Sequence, residues 1–298
     1  MKRNGAYLML FGSVLFWSGN FVIGRAMAGD IGPIALAFWR WLTALVVFLP
    51  FGILALRRDW PLIRSRPGLI LLQGTFGVAG FNTLVYLGLQ DTSATNALLI
   101  NSFIPVFIIL LTALWLREPV SMRRLLAILV SAAGVVALIA QGDIDNLLAL
   151  HFNPGDLWIL LAAASWAIYS ISLRWRPAGL SAAAFLTVTM LIGLSILTPV
   201  YWLVGDQSLV WSTANLLTVG YVAVFASISA FLLWNQGVRV IGAASAGQFI
   251  HLMPLLGTLM AIVFLGEVLR WHHLLGALAI GLGVYLVVSD PDKRQTKG

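Results

Sequence analysis

Long apolar stretches, separated by short polar or charged segments, make up most of this chain. A helix needs roughly 20 mostly apolar residues to cross the ~30 Å hydrocarbon core of a bilayer. Turn and charge signals, such as Gly32-Pro33 and Glu118-Pro119, mark the breaks between stretches. The pattern predicts an all-α, polytopic membrane protein with ten transmembrane helices at residues 5–25, 32–56, 68–89, 93–116, 122–140, 155–174, 180–204, 214–237, 242–265 and 271–289.

The N-terminus imitates a secretory signal peptide, with Lys2 and Arg3 before an apolar run and Ala26-Met27-Ala28 after it. The run from Gly5 to Gly24 is longer than the ~7–15-residue core of a signal peptide. We therefore expect it to be the first span of the fold.

Composition agrees with the apolar pattern. Hydrophobic residues make up 60% of the chain and charged residues only 10%, whereas soluble domains carry about 25% charged residues. This deficit excludes a water-exposed globular surface. Cysteine is absent, so the chain has no disulfide framework and no cysteine-ligated metal site.

The positions of Lys and Arg predict the orientation, because both residues favour the cytoplasmic side. With the N-terminus inside, fifteen of the 18 fall in inside segments, two (Arg25 and Arg270) fall outside, and Arg40 lies within the second span. The distribution predicts a multi-pass protein of the inner cell membrane with both termini cytoplasmic. The charges follow the loops, so the net charge of +7 does not indicate nucleic-acid binding.

The loops are too short to fold alone; the longest, around 141–154, has about fourteen residues. The chain also lacks the G-x-x-x-x-G-K-[ST] phosphate loop. The expected partners are therefore the lipid bilayer and a small-molecule substrate, with no cofactor and no ATPase subunit.

The sequence repeats itself at an offset of 149 residues, without gaps. Matched Trp, Pro and Glu residues at one register are not expected by chance. The matching pairs are Trp17 and Trp166, Arg25 and Arg174, Gly88 and Gly237, Pro105 and Pro254, Glu118 and Glu267, and Gly134-Val135 and Gly283-Val284.

Each copy holds five predicted spans, so the second copy must enter the membrane upside down. Inverted repeats of this kind are typical of secondary transporters, whose substrate site lies near the midplane between the halves. The repeat predicts a first five-helix unit at 1–145, a second, inverted unit at 150–289, and a basic cytoplasmic tail at 290–298. It also predicts that the protein moves a small solute across the bilayer.

With this arrangement the chain resembles the drug/metabolite transporter superfamily, in its ten-span EamA-type family. The residues that carry the resemblance are Leu116-Arg117-Glu118-Pro119 with Gly134-Val135, echoed by Gly266-Glu267-Val268 with Gly283-Val284, and the opening Trp17-Ser18 and Trp166-Ala167. The second copy lacks the Pro after its Glu. The resemblance implies a non-enzymatic exporter of amino acids or other small metabolites. The many aromatic residues make the chain most similar to the aromatic amino-acid exporter subgroup.

Arg40 is the one formal charge deep within a predicted span. Charged residues at that depth are expensive and usually functional, so Arg40 is a candidate ligand for a substrate carboxylate. Two alternatives stay open. Arg40 could snorkel to the outer interface, or it could be held by backbone carbonyls in a structural role.

Two Trp residues and a set of polar residues are further candidates for the wall of a central cavity. They occupy repeat-related or face-sharing positions within the spans. Core packing is the alternative for the Trp residues, and interhelical hydrogen bonding, at roughly 0.6 kcal/mol each, for the polar ones. The candidates are Trp17, Asn20, Asn82, Tyr86, Ser102, Trp166, Tyr169, Asn235, Gln248 and His251.

Pro105 and Pro254 free backbone carbonyls within helices, which makes them candidate hinges, although ordinary kinks would explain them too. Glu118 and Glu267 end the fourth and ninth predicted spans. We expect them to act as gating or structural residues, for example by capping the following helix.

All eleven acidic residues lie in loops or at the ends of spans. Proton-coupled carriers commonly use an intramembrane Asp, Glu or His, and only His251 could serve here. The sequence therefore favours a facilitator without obligatory proton movement.

The sequence leaves alternatives to this function. An intramembrane hydrolase would need Ser245 and His251 as nucleophile and base, but six residues along a helix is about 600°, which puts them on opposite faces. A channel or structural scaffold remains open, as does an exporter of drugs or other metabolites.

Overall fold

A computed structural model describes residues 3–26, 31–92, 94–141, 143–148, 153–204, 212–265 and 268–289. Within these ranges the regular secondary structure is helical throughout. The helices are α1 Arg3–Ala26, α2 Pro33–Ser65, α3 Pro67–Asp91, α4 Ala94–Asn101, α5 Ile104–Leu114, α6 Met122–Ala140, α7 Ile144–Leu148, α8 Pro154–Trp175, α9 Ala182–Val204, α10 Thr213–Ile241, α11 Ala243–Gly247, α12 Leu252–Leu265 and α13 Trp271–Val288.

Seven helices of the described chain are long and apolar enough, by length and composition, to cross a membrane: α2, α3, α6, α8, α9, α10 and α13. The segment Leu99–Leu114 is a shorter apolar helix. Large apolar side chains such as Leu126, Leu203 and Leu278 are exposed, as expected for a surface that faces lipid rather than water. These features confirm the prediction of an all-helical, multi-pass membrane protein.

The predicted fourth and ninth spans are both interrupted. The fourth ends as α4 at Asn101 and resumes as α5 at Ile104, and the ninth passes through a 3₁₀ turn at Gln248–His251 before α12. Pro105 and Pro254 each lie in the first turn of the resumed helix, where a missing backbone N–H sacrifices no helical hydrogen bond. Each proline therefore follows a break instead of kinking a continuous helix.

Two longer helices contain a wide π-helical segment, at Thr75–Gly80 in α3 and Val222–Ser229 in α10. Shifting the first by 149 residues overlays it on the second. π segments leave helical hydrogen bonds rearranged and are frequent at functional sites. Both segments pack against several other helices.

The helices pair in a pattern that repeats between the two halves. Helix α3 packs against α8 and α10 packs against α1, while α2 pairs with α9 and α6 with α13. Gly88 of α3 lies against Ile159 of α8, and Gly237 of α10 lies against Leu10 of α1. The same offset of 149 residues converts one of these contacts into the other.

The structure corrects several details of the sequence analysis. Helix α2 continues to Ser65, beyond the predicted end at 56, and the 141–154 loop contains the one-turn helix α7. Glu118 does not cap the following helix, because the Ser121 side chain accepts the hydrogen bond from the Arg124 amide. Glu267 and the predicted tail 290–298 lie outside the described residues.

Candidate functional site

Arg40 of α2 is buried and makes hydrogen bonds through all three guanidinium nitrogens. Its Nε donates to Ser227 Oγ (2.5 Å), and its Nη1 donates to Asn82 Oδ1 (3.1 Å) and Tyr86 Oη (3.4 Å). Its Nη2 donates to the Ala226 carbonyl (2.8 Å). These contacts join α2 to α3 and to the π segment of α10.

The burial of Arg40 excludes the snorkelling alternative, because only 2% of its surface is exposed. The observed geometry matches the structural alternative, in which a backbone carbonyl holds the buried guanidinium. Three side chains, those of Asn82, Tyr86 and Ser227, also accept hydrogen bonds from it. The Ala226 carbonyl also accepts from Trp17 Nε1 at 2.9 Å. This shared acceptor connects the arginine to the aromatic centre of the molecule.

Five buried aromatic side chains form the aromatic cluster: Trp17, Trp41, Trp166, Phe231 and Trp234. Trp17 and Trp166, the two repeat partners, meet edge to face with ring centroids 5.0 Å apart. Trp234 contacts both, at 5.4 Å and 5.6 Å. The two Trp residues that we predicted from the repeat thus lie together, in a closely packed arrangement of rings.

Tyr169 and Asn235 form a hydrogen bond at the edge of this cluster, from the tyrosine hydroxyl to Asn235 Oδ1 at 2.6 Å. Their repeat partners are Asn20 and Tyr86, the same two residue types in exchanged positions. Among the described residues, Tyr86 bonds to Arg40 and not to Asn20. The Asn–Tyr hydrogen bond is therefore formed in one copy of the pair and, among the described residues, not in the other.

His251, Gln248 and Ser102 form a separate buried group at the two helix breaks. His251 Nε2 lies 2.9 Å from the Ser102 carbonyl, which can only accept, and Nδ1 lies 2.6 Å from Ser131 Oγ. Gln248 Nε2 donates to Ser131 Oγ and to the Ala127 carbonyl. The group joins the break before α5, the 3₁₀ turn before α12, and helix α6.

A cavity of about 810 Å³, here called the vestibule, opens at one end of the bundle. Its walls come from the α5–α6 loop, the end of α8, and the α10–α11 junction. Ser170 and Ser245, both buried, line it. Ser170 Oγ accepts from Trp234 Nε1 at 3.3 Å, so the vestibule reaches the aromatic cluster.

Positive charge dominates the vestibule. Four arginines line it (Arg124, Arg174, Arg176 and Arg239), against one carboxylate among the described lining residues, Glu118. Glu118 is paired with Arg174 at 2.9 Å, so its predicted gating position joins the two halves. Burial lowers the pKa of the Arg176 guanidinium, and the nearby charge of Arg239 lowers it further.

Sequence reasoning missed several residues that the structure places beside the predicted ones. Ser227 and Ala226 reach Arg40 only because the π segment of α10 passes α2, and Ser131 reaches His251 from a distant helix. No local sequence pattern predicts such contacts. Trp234 directly precedes the predicted site residue Asn235 in the sequence, and this adjacency was a signal that could have identified it.

Metal binding has no obvious location in the described part of the chain, since no group of three or more His, Asp or Glu side chains could hold an ion. Buried polar clusters, an aromatic centre and an arginine-lined vestibule within a bundle of apolar helices instead define a polytopic membrane protein of the transporter class.

The chain belongs to the EamA-like transporter family, whose model matches it twice, at residues 4–140 and 153–289. This family is part of the drug/metabolite transporter superfamily. The two matches begin 149 residues apart. The names of the family and of most of the similar proteins describe transporters rather than enzymes.

Among similar proteins, an uncharacterized transporter of Bacillus subtilis, YyaM, is 28% identical over 95% of this chain and 93% of its own. A second one, YetK, is 27% identical over 96% of this chain and 88% of its own. Protein PecM of Dickeya dadantii is 26% identical over 84% and 82%. A solved crystal structure matches with a TM-score of 0.77 over 96% of both chains, at 20% identity, and so shares the fold.

Proposed function

We propose that this protein is a carrier that exports small metabolites, with aromatic amino acids as the first candidates, by alternating access between two inverted five-helix halves. The halves are residues 1–145 and 150–289, and each has five spans. The protein lies in the inner membrane of the cell, with both termini in the cytoplasm. The vestibule then faces the cytoplasm.

The vestibule carries this proposal. It opens among Arg174, Arg176 and Arg239, at segments that the charge distribution assigns to the inside. It extends to Ser170, which accepts a hydrogen bond from Trp234 of the aromatic cluster. A channel needs a continuous path, whereas a carrier blocks one side while the other is open. An aromatic cluster drawn from both halves is suited to be that block.

The exchanged Asn–Tyr pairs supply a mechanism. In an inverted repeat, the state that faces the opposite side is obtained when the two halves exchange conformations. Tyr169 and Asn235 would then separate, while Asn20 and Tyr86 would form the corresponding hydrogen bond. Tyr86 would leave Arg40, whose three other acceptors retain it.

The aromatic cluster also supports an aromatic solute. Rings of Trp and Phe attract another ring by edge-to-face or offset packing, worth about 0.5–1.5 kcal/mol for each pair. The cluster borders the vestibule through Trp234 and Ser170. A solute that moves inward from the vestibule would meet these rings.

The test is a transport panel with the purified full-length chain in proteoliposomes. We expect saturable uptake of tryptophan, phenylalanine or tyrosine, with counterflow when unlabelled solute is loaded inside. Aliphatic amino acids, nucleosides and cationic drugs complete the panel. Flux that does not saturate and shows no counterflow would contradict a carrier.

Matched variants separate the site from the scaffold. Trp234→Phe keeps a ring but removes the indole N–H that reaches Ser170, so we expect a higher KM for an aromatic solute with an unchanged yield of folded protein. Trp202→Phe, at an exposed position outside the cluster, is the control. Equal KM values for the two variants would remove the aromatic cluster from the substrate path.

A further inference from the structure

Arg176 and Arg239 are brought together in the vestibule without a carboxylate of their own. The Arg176 guanidinium is half-buried, stacks over the Phe185 ring with 4.9 Å from Cζ to the centroid, and donates from Nη2 to the Leu180 carbonyl at 2.9 Å. No hydrogen bond or ion pair within the described chain engages Arg239. The one acidic side chain among the described lining residues, Glu118, is bound by Arg174.

The preference for positive residues on the cytoplasmic side accounts for arginines at this end of the bundle. It does not account for their convergence on one cavity. Nor does it explain why the Arg176 guanidinium is fixed by stacking and by a carbonyl while the Arg239 charge lies close enough to repel it. Two like charges held together in a partly desolvated cavity raise the energy of the empty state. An anion between them would lower it.

Building on the proposed carrier, we infer that Arg176 and Arg239 form an anion-binding station in the vestibule, which takes the carboxylate or phosphate group of an organic anion on its path into the membrane. Guanidinium groups suit this role because their planar N–H donors match carboxylate and phosphate oxygens. The fixed Arg176 supplies a preorganised side, and the exposed Arg239 can close on the ligand.

The inference ranks substrates by charge. The vestibule has four arginines and one carboxylate among its described lining residues, so its net positive charge attracts an anion and repels a cation. A zwitterion gains less electrostatic binding energy than an anion. Three molecules with the same ring provide the comparison: 3-phenyllactate, phenylalanine and phenethylamine. We expect binding to weaken in that order.

The experiment measures equilibrium binding of the three labelled molecules to the full-length chain in nanodiscs of neutral phosphatidylcholine. Arg176→Gln and Arg239→Gln should each weaken 3-phenyllactate binding roughly tenfold, the size of one lost hydrogen bond to a charged group. Arg64→Gln, at an exposed position outside the vestibule, removes the same charge and should change nothing. Higher ionic strength should weaken binding to the wild type more than to the double variant.

The outcomes keep this inference apart from the proposed function. Equal binding of the three ring compounds, or equal loss in Arg64→Gln, overturns the anion station even if transport is normal. Arginine-dependent binding without any transport supports the station and contradicts the carrier. A second set of nanodiscs contains phosphatidylglycerol; if that lipid displaces 3-phenyllactate from the wild type and accumulates around it but not around the double variant, the anion is a lipid headgroup and the solute assignment is overturned.

Discussion

Trp17 and Trp166 meet edge to face with ring centroids 5.0 Å apart, although 149 residues separate them in the sequence. In the proposed inverted repeat, only residues near the axis that relates the two halves can touch their own repeat partner. For the proposed repeat, the contact puts that axis at the aromatic cluster. The helix pairs α3–α8 and α1–α10, which the same offset relates, both pack closely.

The exchanged Asn–Tyr pairs lead to a prediction in two opposite directions. Tyr169→Phe removes the hydrogen bond that is formed in this structure, so we expect the equilibrium to move away from the open vestibule. An interhelical bond in a membrane contributes roughly 0.6 kcal/mol, which corresponds to a shift of about threefold. Asn20→Ala removes the bond proposed for the opposite state, and the equilibrium should move towards the open vestibule.

Spin labels at Pro119→Cys and Ala178→Cys would measure this shift. Both positions are exposed and line the vestibule on different halves, and the chain has no native cysteine. Distance distributions give the populations of the open and closed states directly. A shift in the same direction for Tyr169→Phe and Asn20→Ala would reject the exchange.

Arg40 offers a test of structural against substrate-binding roles. Arg40→Lys keeps the charge but loses the fork that reaches four acceptors. We expect the free energy of unfolding to fall by at least about 1.5–3 kcal/mol, the size of one hydrogen bond to a charged group. The measurement is denaturant unfolding in detergent, with Arg64→Lys as the exposed control. A variant of unchanged stability that fails to transport would instead make Arg40 a substrate ligand.

His251 allows a test of energy coupling. Its ring nitrogens face the Ser102 carbonyl and Ser131 Oγ, and neither partner is a carboxylate that would take part in a proton relay. We expect transport to proceed without proton movement, and His251→Gln, which removes titration but keeps hydrogen bonding, to retain it.

The readout for His251 is the pH inside proteoliposomes loaded with a pH-sensitive dye while substrate flows. A stoichiometric pH change that His251→Gln abolishes would make this residue the coupling site. Transport that continues without a pH change would agree with a facilitator that runs down the substrate gradient.

Topology can be tested with two single cysteines. Asn146, on the exposed helix α7, is predicted to lie outside, and Gln295, beyond the described residues, inside. An impermeant thiol reagent applied to intact cells should label Asn146→Cys and spare Gln295→Cys until the membrane is opened. Equal labelling in intact cells would be incompatible with ten spans and cytoplasmic termini.

The sequence alone was sufficient for the class and the family. Apolar stretches of membrane length, few charges and arginine-rich loops predict a multi-pass helical protein, because the bilayer imposes length and composition on every span. The repeat at an offset of 149 residues is likewise visible in the sequence itself, and the family model matches at the same interval. Trp17 and Trp166 were found as candidates for the same reason.

The contacts between distant segments were decided only by the tertiary structure. Arg40 was visible as a charge out of place, yet its partners Asn82 and Ser227 lie 42 and 187 residues away, and no periodicity links them. Arg176 and Arg239 look in the sequence like ordinary basic loop residues. They form the proposed anion-binding station because the end of α8 and the end of α10 line one vestibule. There the two charges are held together, whereas water and distance would screen them in an unfolded chain.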